Sequence, residues 1–216
     1  MVHGLGVSGA SLLPLARLLA RDRLVLVPDL PGFGRSHARR AWTTAELAGA
    51  VDRLCELRGL GRPVVVAHSY GCHVAVELAA RRPGRAAALV LMGPAFHRGG
   101  RSSLEQAARL LADAPLEPPG LLLGATRDYW RAGPRRVVAT LRDAMGIRLE
   151  DRLPAVGAPV LIMRGARDPL TPRRWVRELA ARAGGPAAVA EVPRAPHALG
   201  YAAPRAVAAA VGAFLG

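Results

Sequence analysis

Residues 64–79 read VVVAHSYGCHVAVELA, and the change of character at the centre of this stretch decides the fold. Val64–Ala67 is a dense apolar run of strand length, and the residues from Gly71 onward continue as an apolar helix. Between them stands Ala67-His68-Ser69-Tyr70-Gly71, a match to G-x-S-x-G with alanine in the first position. A serine on so tight a strand-to-helix turn lifts its hydroxyl above the strand ends, clear of its own backbone. Small residues two positions to either side let neighbouring chains approach. The helix that follows offers its N-terminal amides to negative charge, which makes the Tyr70 N–H a candidate oxyanion donor. The pentapeptide alone also fits a serine that merely caps a helix. The rest of the chain weighs against that.

Outward from this stretch, short Val/Leu-rich runs alternate with amphipathic segments. RLVLVPD (23–29), RPVVVAHS (62–69), AAALVLMGP (86–94) and APVLIMRG (158–165) read as buried parallel strands, and AAVAEVP (187–193) as a weaker fifth. Helices are predicted over 10–21, 43–59, 70–82, 172–183 and 203–215. Thr43-x-x-Glu46 opens one with a capping box, and Thr171 ahead of Pro172 is the expected cap of another. Such alternation implies an α/β fold, a mostly parallel doubly wound sheet covered on both faces. Residues 95–153 break the rhythm with Pro115, Pro118, Pro119 and Pro134, helical patterns around 103–113 and 134–146, and no strand. The expected organisation is a core of 1–94 and 154–216 carrying a helical insertion, 95–153.

Composition narrows the function classes. A chain of 216 residues, 51% hydrophobic, can build one substantial core. The net charge of +14 comes entirely from arginine, scattered as doublets such as Arg39-Arg40 and Arg135-Arg136. Without a basic block interleaved with aromatics, a solvated basic surface is expected and nucleic acid is not. Cys55 and Cys72 are too few and too far apart for a disulfide framework, and read as reduced thiols of a cytoplasmic protein. No apolar run is long enough to span a bilayer. His68 and His73 are five apart, the wrong spacing for one helical face, and no metal constellation is seen.

A nucleophilic serine needs a base and a group that orients it. APVLIMRG is followed by Ala166-Arg167-Asp168-Pro169-Leu170, and AAVAEVP by Arg194-Ala195-Pro196-His197. Both fall at strand C-terminal ends, where open parallel sheets collect their sites, in the order serine, acid, histidine. A rival reading comes from the N-terminus. Gly4-Leu5-Gly6-Val7-Ser8-Gly9 matches G-x-G-x-x-G, with Asp29 where a ribose-binding acid belongs, which would make the chain an NAD(P)-dependent oxidoreductase. That loop needs a full strand ahead of its first glycine, and the reading leaves Ser69, Asp168 and His197 without a purpose.

With VHG (2–4), PDLPGFGRS (28–36), AHSYG (67–71), RGARDPLTP (164–172) and PHALGY (196–201) in hand, the chain resembles the α/β-hydrolase superfamily over nearly its whole length. The resemblance implies Ser69 as nucleophile, His197 as general base and acid, and Asp168 as orienting carboxylate, with oxyanion amides from Leu5 and Tyr70. It implies no cofactor and no metal. The insertion takes the place of a helical lid, with Tyr129, Trp130 and Met145 as candidate pocket residues. The expected substrate is a small molecule, most simply a carboxylic ester, with thioesters and C–C bonds as other substrates of the superfamily. The sheet of that superfamily begins with two antiparallel strands and a full third strand, of which only the last residues precede Gly4. Met1 is therefore expected to be a mis-assigned start or the edge of a truncated product, and the chain to be poorly stable unless the strand is replaced. An inert, non-catalytic member is the alternative this raises.

Overall fold

The computed structural model describes residues 1–96 and 103–216. Of the expected insertion, residues 97–102 therefore lie outside the description. In chain order the elements are α1 (Leu13–Leu19), α2 (Thr44–Leu57), β1 (Val64–His68), α3 (Gly71–Arg81), β2 (Ala88–Met92), α4 (Ser103–Asp113), α5 (Pro119–Ala132), α6 (Pro134–Gly146), α7 (Leu149–Arg152), β3 (Val160–Gly165), α8 (Arg173–Arg182), β4 (Ala187–Val192), α9 (Leu199–Ala202) and α10 (Pro204–Leu215).

The four strands form one parallel sheet in the order β1-β2-β3-β4, with Val66 opposite Val90, Val90 opposite Leu161, and Leu161 opposite Ala188. Alternation along each strand divides the apolar side chains between two faces. Val65, Ala67, Leu89, Leu91, Val160 and Ile162 pack with Leu47 of α2, Val74 of α3 and Trp175 of α8. Val66, Val90, Met92, Leu161 and Met163 pack with Leu15 of α1 and Val207 and Val211 of α10. The sheet is thus covered on both sides, as the alternating pattern requires.

One expected strand is absent. Residues 23–29 run without a ladder, contrary to the reading of RLVLVPD as a strand. Strand β1 is edged instead by Val2, whose N–H donates to the Val66 carbonyl at 2.8 Å and whose carbonyl accepts from the His68 N–H at 3.0 Å. Met1 gives its amino group to the Leu26 carbonyl at 2.6 Å. Beyond that contact, residues 23–26 and 63–66 line a cleft of about 420 Å³. A strand needs a neighbour at hydrogen-bonding distance, and across this cleft there is none.

Local signals fared better at helix starts. Thr43 and Glu46 cap α2 reciprocally, as the capping box predicts. The N-cap of α8 is Pro172 and not the expected Thr171, whose N–H donates instead to Asp168. Helix α5 was not legible behind Pro118 and Pro119, yet Pro119 opens it, in the position where a missing N–H costs nothing. Helices α4–α6 are tied to the sheet-bearing part by side chains: Ser8 Oγ donates to Asp128 at 2.5 Å, the Thr44 N–H and hydroxyl to Asp143 at 2.6 Å, and Arg109 to the Pro169 carbonyl at 2.7 Å. Among the described residues no helix is long and apolar enough to cross a membrane.

Candidate active site

At the end of β1 the backbone swings through Ser69 at φ +54°, a conformation that costs a non-glycine residue about 1–2 kcal/mol. It is held there by the Ser69 N–H donating to the Met92 carbonyl at 2.8 Å and by the Cys72 N–H donating back to the Ser69 carbonyl at 3.0 Å. The glycine of the motif is a steric requirement, since a Cβ at Gly71 would lie 2.5 Å from the Val2 carbonyl oxygen. The alanine in the first position meets no such obstacle. Ala67 is fully buried and bridges to Val2.

The turns after β3 and β4 bring Asp168 and His197 to this serine. His197 Nε2 lies 2.9 Å from Ser69 Oγ, and its Nδ1 lies 2.9 Å from Asp168 Oδ2. Asp168 Oδ1 accepts from the Leu170 and Thr171 N–H groups at 2.8 and 3.1 Å. A carboxylate at Nδ1 places the ring hydrogen there and leaves the Nε2 lone pair facing the hydroxyl. Burial works against the Asp168 charge, but the His197 ring, with the Thr171 side chain and the Leu170 amide, outweighs it and holds the carboxyl below its ordinary range. Burial likewise disfavours the His197 cation, yet Asp168, with Asp113 and Glu117 behind it, holds the ring above its ordinary 6.5.

Gly93, just past β2, makes room for this pair. Its φ is +58°, and a Cβ there would sit 3.0 Å from His197 Cε1 and 3.1 Å from Nδ1. Gly93→Ala is expected to displace the ring and to lower kcat/KM by about 100-fold. The left-handed strain adds a fall in Tm of about 2–8 °C, read by calorimetry beside the kinetics.

Three side chains that border the space beside Ser69 grip the histidine turn. His68 Nε2 donates to the His197 carbonyl at 3.1 Å, and the two rings lie 4.9 Å apart. Burial, then the neighbouring His197, push His68 down to about 3, so it stays neutral and keeps the bond. Asp113 Oδ1 accepts from the His197 N–H at 3.1 Å, and Glu117 Oε1 from the Ala198 N–H at 2.6 Å. None of these three was singled out as a site residue by the sequence. Asp113 and Glu117 reach across more than 80 residues, and no local pattern signals that.

A cavity of about 320 Å³, mostly apolar, opens beside Ser69 and His197 and is walled by Leu5, Phe96, Leu121, Tyr129 and Leu141. Of the candidate pocket residues, Tyr129 lines it. Trp130 does not: one residue on, about 100° around α5, it is 77% exposed. Met145 packs against the core instead of the cavity. Gly4, Leu5 and Ser69 share the cavity wall, and among the described residues neither the Leu5 nor the Tyr70 N–H has a hydrogen-bond partner. His3 fixes this turn, with Nδ1 donating to the Gly4 carbonyl at 2.8 Å and Nε2 accepting from the Leu30 N–H at 2.9 Å. Burial keeps His3 neutral, as both bonds require. Asp29, the ribose acid of the dinucleotide reading, is occupied by the N–H groups of Gly9 at 2.8 Å and Arg35 at 2.9 Å.

The sequence profile of the family described as "Alpha/beta hydrolase family" matches residues 1–210. The chain belongs to the α/β-hydrolase family. Lipase LipV of Mycobacterium tuberculosis is 41% identical over 98 residues, 45% of this chain and 36% of that protein. Human monoglyceride lipase is 28% identical over 193 residues, 78% of this chain and 64% of its own. The chain thus spans from about a third to about two thirds of the length of these curated relatives. A thermophilic esterase from Thermogutta terrifontis superposes with a TM-score of 0.82 over 99% of this chain and 87% of its own, at 23% identity, a likeness of fold. As an α/β hydrolase, the chain carries its serine, acid and histidine in the chain order found in that fold.

Proposed function

We propose that the protein is a serine hydrolase of small carboxylic esters. The observation that carries the reading is His197, set 2.9 Å from both Ser69 Oγ and Asp168 Oδ2. In this reading His197 Nε2 takes the hydroxyl proton as Ser69 Oγ attacks the substrate carbonyl. Asp168 steadies the imidazolium, and the proton then passes to the departing alkoxide. The Leu5 and Tyr70 amides receive the negative oxygen of the tetrahedral intermediate, and two such donors stabilise it in the transition state more than in the ground state. Water, activated by the same histidine, releases the acid from the acyl-serine. Side chains and amide protons complete the cycle.

The lipases and the esterase among the relatives support an ester as the scissile group. The apolar cavity of about 320 Å³ fits a short hydrocarbon chain, and helices α4–α6 act as the lid above it. A series of p-nitrophenyl esters from acetate to palmitate tests this. The expected kcat/KM peaks at short to medium chains, and no turnover of any member would refute the reading. Because the base must be neutral and is held above 6.5, kcat/KM should rise with pH through an apparent pKa above that value. A profile already flat at pH 6 would contradict it.

A further inference from the structure

Asp113 and Glu117 are buried carboxyls that the reaction chemistry leaves unused. Asp113 ends α4, and Glu117 follows the short turn Ala114–Leu116; they are 4% and 8% exposed. Each accepts one backbone N–H of the histidine turn, His197 for Asp113 and Ala198 for Glu117. Accepting from successive amides makes the two carboxyls close neighbours, and each acts on the titration of the other. Glu117 Oε2 is buried without a hydrogen-bond partner, so an ionised Glu117 holds an acceptor with nothing to accept. A protonated Glu117 removes the conflict by donating to Asp113. Burial first, and the Asp113 charge besides, push Glu117 up to about 8, and burial raises Asp113 as well.

The groups facing the pair from other elements are His197 and, behind it, Asp168; His68 reaches it only through His197. Arg109 of α4 is spent on Glu105 and the Pro169 carbonyl. Among the described residues no arginine bonds either carboxyl. Two adjacent carboxylates in such a place cannot both ionise cheaply.

We infer that Asp113 and Glu117 share one proton and act as a positioning pair, holding the His197 turn against the insertion only while that proton is present. The inference rests on the reading of His197 as the base. When Glu117 ionises, its charge repels Asp113 and loosens the grip on the two amides. The added negative charge also favours the protonated form of His197. Both effects remove base function on the alkaline side.

Glu117→Gln keeps an acceptor for the Ala198 N–H and a donor for Asp113 but cannot titrate. With p-nitrophenyl butyrate, wild-type kcat/KM should pass through a maximum and fall again on the alkaline side of the His197 rise, and Glu117→Gln should lack that fall. Glu117→Ala should lower kcat at pH 7 about tenfold as the base loses its place; Glu117 is also part of the cavity wall, so the deciding readouts are kcat and its pH profile. A Glu117→Gln profile that keeps the alkaline fall, or a wild-type kcat in Glu117→Ala, overturns the proposal.

A second readout needs no turnover. Between the ordinary 4.5 and about 8 the native state holds a proton that the unfolded chain has lost, so its contribution to stability falls as pH rises through that window and levels off above it. The Tm of wild type minus that of Glu117→Gln should decline from pH 5 to 8. A pH-independent difference overturns the shared proton. If the decline is seen and no ester is hydrolysed, the pair stands and the hydrolase reading falls.

Discussion

Ser69→Ala is expected to lower kcat by about 10⁴–10⁶-fold, with KM changed far less. The hydroxyl removed is the nucleophile of the proposed reaction: its neighbour is His197 Nε2 at 2.9 Å, and it stands in the wall of the apolar cavity. What is lost with it is one hydrogen bond, to His197 Nε2. The backbone at φ +54° is held by main-chain bonds to Met92 and Cys72, which alanine retains. Alanine tolerates that φ no better than serine, so the strain carries over unchanged. Stability should therefore fall by no more than about 0.5–1.5 kcal/mol, the scale of one lost hydrogen bond. The residual rate would come from the oxyanion amides and binding alone. Steady-state kinetics on the best ester of the series, with a melting curve of the same preparation, reads both halves of the prediction. A loss of less than tenfold would mean that another group attacks.

Asp168→Asn is expected to cost about 10⁴-fold in kcat while the fold survives. The asparagine oxygen can still accept from Leu170 and Thr171, so the turn after β3 keeps its form. What changes is the partner of His197 Nδ1. If the amide nitrogen faces that atom, it donates, forces the hydrogen onto Nε2, and leaves Ser69 facing a donor instead of a base. The ring also loses the charge that holds it above 6.5, so the acid limb of kcat/KM should move to lower pH in the residual activity. Asp168→Ala should lose the activity and the turn together. It leaves two buried N–H groups without an acceptor, at about 1–3 kcal/mol each, and its Tm should fall clearly below that of Asp168→Asn. Similar Tm values for the two variants would show that the carboxylate has no role in building its own turn.

The juxtaposition of Ser69, Asp168 and His197 was legible because each stands directly after an apolar run that becomes a strand, so one-dimensional order carried three-dimensional position. The same logic identified β1 to β4 and the helices α2, α3, α8 and α10 within a residue or two. It failed at 23–29, where an apolar run of strand composition lies beside a cleft instead of a neighbour; none of these residues is fully buried and Leu24 is 78% exposed, so composition reported neither burial nor pairing. Trp130 and Tyr129 could not be told apart by residue type, because adjacent helical residues differ only in direction. His68, Asp113 and Glu117 were missed for another reason. Their work is done through backbone groups of residues distant in sequence, and a hydrogen bond to a main-chain N–H leaves no trace in the partner's identity. Gly93 is the intermediate case: its place after β2 was visible, its need to clear His197 was not.

The central claim is that Ser69 is a nucleophile activated by His197. A fluorophosphonate probe incubated with the folded protein tests it most directly, with intact mass for stoichiometry and peptide mapping for the site. The account predicts one adduct per chain, on Ser69, absent in Ser69→Ala and formed at least about 100-fold more slowly in His197→Ala. Folded wild-type protein that takes no label, or takes it on a residue other than Ser69, would contradict the account.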